Sequence, residues 1–535
     1  MGMDGDGSED LLITSGRGGS LAYYRNDHGR FTRVDLHLPA ARYDETTVLP
    51  LPDGKGGTVL LLGQSNYESQ TPKEAAALPG VLDVTPGGAV VTPVVPGDVG
   101  SVGPLALADV DGDGALDLFV GGRVAPGAYP GAVSSQLFRN AGGRFVLDET
   151  NSSLFTNIGL ISGAVFSDVN GDGWPDLILA PEWGSLKLFV NDHGHFRDAT
   201  AEWGLDRVIG RWNGVTTGDL DGDGRLDIVA TSWGRNTKYH VDPAHPLLLY
   251  YGKLAGSRWD MIEAQYDDRL RSLAPLAPLG QLMTTLPVVR LTTRTYTAYA
   301  DATLQDVFGR TLAVAQRLEA ATLDHQVFFN RGGTFDARPL PAEAQFAPAF
   351  YAGVADFDGD GHEDLFLSQN FFPTEIATPR YDGGRGLLLR GRGDGTLEPV
   401  PGQISGILVY GDQRGAAFAD YDGDGRTDLV VSQNGSETRL YHNEHARPGL
   451  RVRLDGGPLN PYAIGAVLRL VYEGSRGPAR EVHGGSGYWS QDGPIQVLGL
   501  EEGKQATAVW VRWPGGRETV APLRAGQLQI TIRKP

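Results

Sequence analysis

The chain has 535 residues, a formal net charge of −19, 75 glycines and no cysteine. The lack of thiols excludes a disulfide scaffold, thiol catalysis and thiolate metal sites. No apolar run approaches the roughly 18 residues that span a membrane, and no basic patch with interleaved aromatic residues favours nucleic-acid binding. The composition is typical of a turn-rich, all-β protein.

A nine-residue loop rich in aspartate recurs along the chain, and each copy runs into an apolar segment of β type. A partial copy opens the chain with Asp4, Asp6 and Asp10, where Gly2 replaces the first aspartate. Five copies are complete, with oxygen-bearing side chains at positions 1, 3, 5 and 9: Asp109/Asp111/Asp113/Asp117, Asp168/Asn170/Asp172/Asp176, Asp219/Asp221/Asp223/Asp227, Asp356/Asp358/Asp360/Asp364 and Asp420/Asp422/Asp424/Asp428. Two eroded copies, at 51–56 and 253–257, keep too few carboxylates for a metal and are interpreted as hairpin turns.

The loop pattern indicates a calcium site. Carboxylates at alternate positions converge on one point when glycines at positions 4 and 6 turn the backbone, and Ca²⁺ takes about six to eight oxygen ligands. Zinc is disfavoured because the pattern has no sulfur or nitrogen ligand. An EF-hand needs a glutamate at position 12 and flanking helices, but position 12 is apolar here, as at Val120 and Val431. Empty Asp-Gly turns are the alternative; five regular copies favour about five Ca²⁺ sites and a sixth, partial one.

The spacing of the loops predicts a β-propeller. Complete, partial and eroded copies begin at residues 2, 51, 109, 168, 219, 253, 356 and 420, and a unit of about 50–60 residues fits a four-stranded blade. The copies at 219 and 253 are too close for two blades and are assigned to one. Seven blades are therefore expected over residues 1–447, with eight as the alternative. The first blade lacks its opening strand, so either the last blade supplies that strand or upstream sequence is missing.

Two regions depart from the repeat. Between about 264 and 326 the β pattern lapses, and the apolar residues fall at helical spacing, which predicts a helical insertion that caps one propeller face or closes its channel as a lid. These apolar residues are Leu304, Val307, Phe308, Leu312, Ala315 and Leu318. After residue 447 short apolar segments alternate with glycine-rich turns, which predicts a small β-sandwich or barrel over 448–535.

Residues that could carry catalysis are isolated in the sequence. Ser486 lies in Gly-Ser-Gly-Tyr, which lacks the second glycine of a nucleophile elbow. His240, His325 and His483 have no metal-ligand spacing and are interpreted as surface or core histidines. Four tryptophans could line a sugar-binding face, although packing between blades is the favoured interpretation: Trp183, Trp203, Trp212 and Trp233.

The motifs resemble a known family. The aspartate loops followed by Leu-x-Val strands resemble FG-GAP/VCBS-type repeats, the units of the integrin α-subunit propeller. The segments 460–466, 480–491 and 511–516 resemble the ASPIC/UnbV domain. Together they resemble the bacterial relatives of the cartilage acidic protein family. Two departures are the missing first aspartate of the opening loop and the absence of the cysteine-bearing extension of the animal proteins.

The resemblance implies Ca²⁺ on one propeller face and an exported protein that acts in adhesion or recognition, in an extracellular, cell-surface or periplasmic location. The favoured hypothesis is thus a non-catalytic calcium-binding scaffold that recognises a protein or glycan. The alternative is a calcium-dependent polysaccharide lyase or hydrolase on the same scaffold, which rests on analogy of fold alone. An intracellular assembly scaffold is a third hypothesis.

Overall fold

The computed structural model describes residues 2, 7–53, 57–85, 90–254, 259–287 and 289–535. The regular structure is almost entirely β. Seven helices are described, and each has four to seven residues: α1 Pro72–Ala76, α2 Glu149–Ser152, α3 Leu279–Thr285, α4 Val289–Thr292, α5 Tyr296–Ala300, α6 Leu304–Phe308 and α7 Gly402–Ser405. None of the described helices is long and apolar enough to cross a bilayer.

The first four sheets follow one another along the chain, and each is antiparallel. Their strands are β1 Leu11–Ile13, β2 Ala22–Asp27, β3 Arg30–Val34, β4 Glu45–Pro52, β5 Thr58–Gln64, β6 Val81–Thr85, β7 Val90–Val95, β8 Val102–Ala108, β9 Asp117–Gly122, β10 Gln136–Asn140, β11 Phe145–Leu147, β12 Ile161–Ser167, β13 Asp176–Pro181, β14 Lys187–Asp192 and β15 His195–Asp198. The first sheet is β1-β2-β3, the second β4-β5-β6-β7, the third β8 to β11 and the fourth β12 to β15.

Three further sheets of this kind and one inserted sheet follow. Their strands are β16 Gly214–Gly218, β17 Asp227–Thr231, β18 Leu247–Gly252, β19 Asp260–Asp267, β20 Ser272–Pro275, β21 Gln316–Ala320, β22 Gln326–Asn330, β23 Phe335–Pro339, β24 Ala349–Ala355, β25 Asp364–Gln369, β26 Leu387–Gly391, β27 Leu397–Val400, β28 Asp412–Ala419, β29 Asp428–Asn434 and β30 Arg439–Tyr441. The fifth sheet is β16-β17-β22-β23, the inserted sheet β20-β19-β18-β21, the sixth β24 to β27 and the seventh β28-β29-β30.

The seven sheets are arranged side by side, in the manner of a propeller. The opening strands of neighbouring sheets contact one another in the order β4, β8, β12, β16, β24 and β28. Four of them, β8, β12, β16 and β24, contain no charged residue, and all residues of β8, β12 and β24 are buried. The other two do contain charged residues, Glu45 in β4 and Asp412 and Arg414 in β28. The first and seventh sheets are neighbours too, because Asn26 Nδ2 donates to the Tyr421 carbonyl oxygen over 2.6 Å.

The first sheet has no opening strand within the described residues. β1 begins directly after Asp10, position 9 of the partial loop, just as β9 begins at Asp117 in the third sheet. β1 is therefore the counterpart of a second strand. β28 pairs with β29 and not with β1. The interpretation in which the last blade supplies the first strand of the first sheet is therefore wrong.

The insertion is a sheet with helices rather than helices alone. It lies between β17 and β22 and contains the inserted sheet, with α3 to α6 in the connection between its strands β20 and β21. These helices pack on Leu248 and Ile262 of that sheet. The hairpin predicted near residue 253 joins β18 to β19, so it belongs to the inserted sheet and not to the fifth sheet; residues 255–258 lie outside the described ones. The helical spacing predicted from Leu304 to Leu318 is only partly helical. α6 ends at Phe308, where Gly309 has a φ of +49°, a 3-10 helix follows over Gly309–Val314, and Leu318 lies in β21.

The other eroded copy is also a hairpin. β4 and β5 pair antiparallel on either side of it, from Glu45 with Gln64 to Pro52 with Thr58. Residues 54–56 of its turn lie outside the described part of the chain.

The C-terminal region forms two sheets with a shared core. Its strands are β31 Leu450–Asp455, β32 Val467–Tyr472, β33 Ser475–Arg476, β34 Arg480–Glu481, β35 Gln496–Leu498, β36 Ala508–Arg512, β37 Glu518–Pro522 and β38 Gln529–Arg533. One sheet has the order β35-β31-β38 and the other β33-β32-β36-β37, with β34 on β32. Val452, Leu468 and Val511 share a core cluster with Leu49 and Leu105 of the second and third sheets. This region thus packs on the repeat sheets.

Candidate metal-binding loops

In each complete loop, backbone N–H groups of the loop donate to the carboxylate of its first aspartate. In the loop after β8, Asp109 Oδ1 accepts from Gly112 N over 2.8 Å and Asp109 Oδ2 accepts from Gly114 N over 3.1 Å. Gly112 and Gly114 have φ values of +78° and +91°, which only glycine adopts readily. The fourth and sixth positions therefore need glycine for the reason predicted from the sequence.

The turn brings carboxylates together in four of the five complete loops. In the described residues, one oxygen from each of three carboxylates lies within 4.8 Å of the others in four sets. The sets are Asp109/Asp111/Asp113, Asp219/Asp221/Asp227, Asp356/Asp358/Asp360 and Asp420/Asp422/Asp424. A fifth set joins Asp422 and Asp428 to His442, a residue that the sequence pattern did not indicate. Hard oxygen donors at this density are the ligands that Ca²⁺ prefers.

The loop at 168–176 is different. Position 3 is an asparagine, and Asn170 Nδ2 donates to Asp172 Oδ2 over 2.8 Å. Asp168 is also paired with Arg512, Nη2 to Oδ2, at 2.6 Å. This loop has three carboxylates where the other complete loops have four, and within the described residues it forms no cluster of three converging carboxylates. In the partial loop, Asp4 and Asp6 lie outside the described residues, while Asp10 Oδ1 accepts from Asn26 N over 2.8 Å.

The aspartate at position 9 of each complete loop also accepts hydrogen bonds from the backbone of its own sheet. Asp117 Oδ2 accepts from Val110 N and Asp117 Oδ1 accepts from Asn140 N over 2.8 Å, so the carboxylate ties the loop to the third strand. The same backbone contact to Oδ1 recurs at each complete loop: Asn191 to Asp176, Asn330 to Asp227, Gly391 to Asp364 and Asn443 to Asp428. The conserved geometry explains why the aspartate opens the second strand of each sheet.

The asparagine at the end of the third strand links neighbouring sheets. Asn191 Nδ2 donates to the Pro175 carbonyl of its own loop over 3.2 Å and to the Val110 carbonyl of the preceding loop over 2.9 Å. We call this arrangement the asparagine bridge. It recurs at three more junctions, through Asn330 to Val169 and Leu226, Asn443 to Phe357 and Thr427, and Asn26 to Tyr421 and Glu9.

Buried carboxyl groups in the loops are shifted towards the protonated form. Burial raises the pKa of Asp219 to about 7 and that of Asp227 to about 8, and neighbouring aspartates add to the effect. Burial likewise raises the pKa of Asp117, Asp356 and Asp428 to about 7. A cation between these carboxylates would favour the ionised form.

Two observations decide whether the loops fit a metal ion. Asp219 Oδ1, Asp221 Oδ1 and Asp420 Oδ1 are buried and accept no hydrogen bond within the described residues. Orphaned buried acceptors are costly, and a cation would satisfy them. Arginines, in contrast, already pair with some loop carboxylates, as Arg390 does with Asp358 at 2.7 Å and with Asp360 at 2.6 Å. The donor set fits Ca²⁺, and the arginines supply part of the countercharge.

The C-terminal region covers the face of the sheets that carries the loops. Ala479 N donates to Asp219 Oδ2 over 2.7 Å, and Arg451 Nε lies 3.1 Å from Asp420 Oδ2. Between β34 and β35 the chain also runs along the opening strands: Leu107 N donates to the Gly484 carbonyl over 2.7 Å, and Trp489 Nε1 to the Ser162 carbonyl over 3.0 Å. The segment 484–493 therefore contacts the opening strands of several sheets.

Of the isolated candidates for catalysis, His325, His483 and Ser486 make contacts within the fold. His325 is fully buried, with Nδ1 accepting from Ser232 N over 2.7 Å, and burial lowers its pKa to about 4. His483 contacts Thr217 and Glu481, and the Ser486 hydroxyl lies 3.4 Å from Asp492 Oδ2. His240 is exposed. The four tryptophans are at most 9% exposed, as the packing interpretation predicted: Trp183, Trp203, Trp212 and Trp233.

Models of known protein families match two parts of the chain. A model described as FG-GAP-like repeat matches residues 109–179, 168–230 and 374–431. A model described as ASPIC and UnbV matches residues 456–535. The chain therefore carries FG-GAP-like repeats and a C-terminal ASPIC and UnbV domain, which confirms both predicted resemblances.

Named relatives point in the same direction. Cartilage acidic protein 1 of Homo sapiens is 27% identical over 189 residues, which cover 34% of this chain and 27% of the human protein. T-cell immunomodulatory protein of Rattus norvegicus is 25% identical over 236 residues, which cover 38% of this chain and 37% of the rat protein. The matched segments thus span well under half of these relatives.

Similar solved structures are more distant. An exotype rhamnogalacturonan lyase is 12% identical with a TM-score of 0.34, and the match covers 99% of this chain and 82% of the lyase. A likeness at this TM-score carries no argument about the activity of this chain.

Proposed function

We propose that this chain is a non-catalytic, calcium-binding scaffold outside the cytosol that recognises a protein or glycan. Its repeat sheets would form a seven-bladed β-propeller, and the C-terminal region a β-sandwich on the face that carries the metal loops. The observation that carries the proposal is the repeated convergence of carboxylates in four loops, together with three buried carboxylate oxygens that have no donor within the described residues.

Calcium would be held by the side chains of the complete loops. The residues concerned are Asp109, Asp111, Asp113 and Asp117, Asp219, Asp221, Asp223 and Asp227, Asp356, Asp358, Asp360 and Asp364, and Asp420, Asp422, Asp424 and Asp428, with Asp168, Asn170, Asp172 and Asp176 as a weaker site. A bound cation would neutralise these carboxylates and fix each hairpin between its first two strands. Its role on this scaffold would be structural.

The surface for recognition would lie opposite the loops. Each loop joins the first strand of a sheet to the second, so the connection from second to third strand lies at the other end. The insertion occupies that connection in the fifth sheet, between β17 and β22. Two of its apolar side chains are largely exposed to solvent: Leu291 is 76% exposed and Tyr296 is 74% exposed. Large exposed apolar residues in one region are typical of an interaction surface.

The metal role is tested by comparing the loop variant Asp221→Asn with the control Asp336→Asn. Asp221 has a buried, unpartnered oxygen, whereas Asp336 lies outside the loops and pairs with Arg338. We expect the wild type and the control to melt at a higher temperature in calcium than in EDTA. The loop variant should show a smaller increase. Equal increases in all three proteins would contradict a calcium site at Asp221.

The recognition surface is tested by a glycan array and an extracellular-protein array probed with the full chain and with the variant Leu291→Ser/Tyr296→Ser. Binding that the variant loses, with an unchanged melting temperature, is the expected result. Binding that is the same for both proteins would place recognition elsewhere.

A further inference from the structure

The aspartate loop of the seventh sheet has a nitrogen ligand within reach. His442 directly follows β30, the third strand of that sheet. Its Nδ1 lies 3.3 Å from Asp428 Oδ1 and 3.6 Å from Asp422 Oδ2. The Tyr421 ring packs edge-to-face on the imidazole, with 5.9 Å between the ring centroids. We call Asp422, Asp428 and His442 the histidine cluster.

The corresponding residue beside the other complete loops is not histidine. It is the residue just before the one whose backbone N–H donates to Oδ1 of the aspartate at position 9. In the third to sixth sheets it is Arg139, Val190, Phe329 and Arg390. The two arginines pair with carboxylates of their own loops, and valine and phenylalanine offer neither a charge nor a ligand. Of the five complete loops, the one in the seventh sheet therefore has a metal-ligating nitrogen at this position.

The distances in the histidine cluster fit ligands of a single ion. Zn²⁺ binds imidazole nitrogen and carboxylate oxygen at about 2.0–2.1 Å, so two ligands of a tetrahedral Zn²⁺ lie about 3.4 Å apart. Both distances from His442 Nδ1 to the aspartate oxygens lie close to this value. A hydrogen bond from Nδ1 to Asp428 alone would leave the approach to Asp422 unexplained.

A buried carboxylate oxygen beside the cluster has no donor. Asp420 is 1% exposed, and its Oδ1 accepts no hydrogen bond within the described residues. Its Oδ2 is engaged, because it accepts from Gly425 N over 3.0 Å and lies 3.1 Å from Arg451 Nε. One oxygen of Asp420 lies within 4.8 Å of oxygens of Asp422 and Asp424, so this carboxylate adjoins the histidine cluster through Asp422. A buried acceptor without a donor is costly, and a cation would satisfy it.

A nitrogen ligand changes which metal the loop prefers. Imidazole suits Zn²⁺ and similar transition-metal ions, whereas Ca²⁺ prefers oxygen ligands. We propose that the loop 420–428, together with His442, is a site for a transition-metal ion such as Zn²⁺. His442 supplies from the end of the third strand the nitrogen that the aspartate pattern itself lacks. The proposal concerns this loop alone and does not depend on calcium binding by the other four.

Isothermal titration of the EDTA-stripped, full-length chain with Zn²⁺ in excess calcium tests the site, because the calcium competes for loops that offer oxygen alone. His442→Asn should weaken zinc binding by about tenfold or more. His445→Asn is the matched control, since His445 is exposed and belongs to no carboxylate set among the described residues, and it should bind zinc as the wild type does. Equal zinc affinity in His442→Asn and the wild type, or no saturable binding up to about 100 μM Zn²⁺, would overturn the proposal.

A second variant, His442→Arg, separates a metal ligand from a countercharge. Arginine occupies the same position as Arg139 and Arg390 in other sheets, so this variant should melt close to the wild type while offering no ligand. It should lose zinc binding as His442→Asn does, and retained binding would refute ligation by His442. Co²⁺ used in place of Zn²⁺ should give visible absorption bands in the wild type and in His445→Asn that both His442 variants lack. Identical spectra in all four proteins would contradict imidazole ligation. A chain that binds calcium but no zinc would refute this inference alone.

Discussion

Removal of one asparagine bridge should destabilise the protein more than removal of an asparagine that makes no contact between sheets. Asn191 is fully buried and makes three side-chain hydrogen bonds, to the Val110 and Pro175 carbonyls and from Gly194 N. Asn191→Ala leaves all three buried groups without these partners. At about 1 to 1.5 kcal/mol for each of the three bonds, the free energy of unfolding should fall by about 3 to 4.5 kcal/mol.

Asn140 is the matched control for this variant. It is half-buried, and within the described residues its side chain bonds to the Leu116 carbonyl and Gly143 N, both of its own sheet. The second sheet, which precedes it, has no complete aspartate loop. Asn140→Ala should lower the free energy of unfolding by about 1 to 2 kcal/mol. Urea-induced unfolding of both variants in calcium measures the difference. If Asn191→Ala is no more destabilising than Asn140→Ala, the bridge between sheets contributes nothing and the reasoning is refuted.

Three further predictions follow from the loops and the domain contact. Burial raises the pKa of Asp117, Asp219 and Asp356 to about 7 and that of Asp227 to about 8. The folded protein therefore holds protons on these groups that the unfolded chain releases near pH 4. Their contribution to the free energy of unfolding is full below pH about 4 and is lost as pH rises through the raised pKa values. In EDTA the melting temperature should therefore fall between pH 6 and pH 8.5, and calcium should remove most of the decrease; a flat profile in EDTA would contradict the shifts. Arg480 forms a buried ion pair with Glu363, so Arg480→Ala should cost about 3 to 5 kcal/mol in urea unfolding, whereas Arg480→Met with Glu363→Leu should recover much of it; no recovery would contradict an electrostatic cause. Asp172→Asn, in the loop that has Asn170 at its third position and no cluster of three carboxylates among the described residues, should reduce the calcium-induced rise in melting temperature less than Asp360→Asn does. A larger reduction for Asp172→Asn would contradict this order.

The repeated part of the fold could be predicted from the sequence because each loop and the strand after it are determined by residues close together in the chain. Alternating aspartates with two glycines define a loop whose first carboxylate caps its own backbone, and the apolar residues after position 9 form a strand in every complete copy. The loops and their strands could therefore be placed from spacing alone. The FG-GAP-like and ASPIC/UnbV resemblances rest on the same local patterns.

Contacts between distant segments could not be predicted. The inserted sheet was missed because β18 and β21 pair across more than sixty residues, and a local pattern carries no information on such pairing. The asparagine bridge depends on a carbonyl that belongs to the neighbouring sheet. The contact of Ala479 and Arg451 with Asp219 and Asp420 depends on how the C-terminal region docks. His442 joins an aspartate cluster only because the third strand of the seventh sheet ends beside the loop.

Calcium binding by the aspartate loops is tested most directly by the number of ions bound per chain. Isothermal titration of the EDTA-stripped, desalted protein with calcium, with elemental analysis of the loaded protein after gel filtration, supplies that number. Calcium binding by the loops predicts four or five ions per chain. Asp221→Asn should bind one ion fewer, and Asp336→Asn should bind as many ions as the wild type. Binding of no ion, or a stoichiometry that Asp221→Asn leaves unchanged, would contradict it.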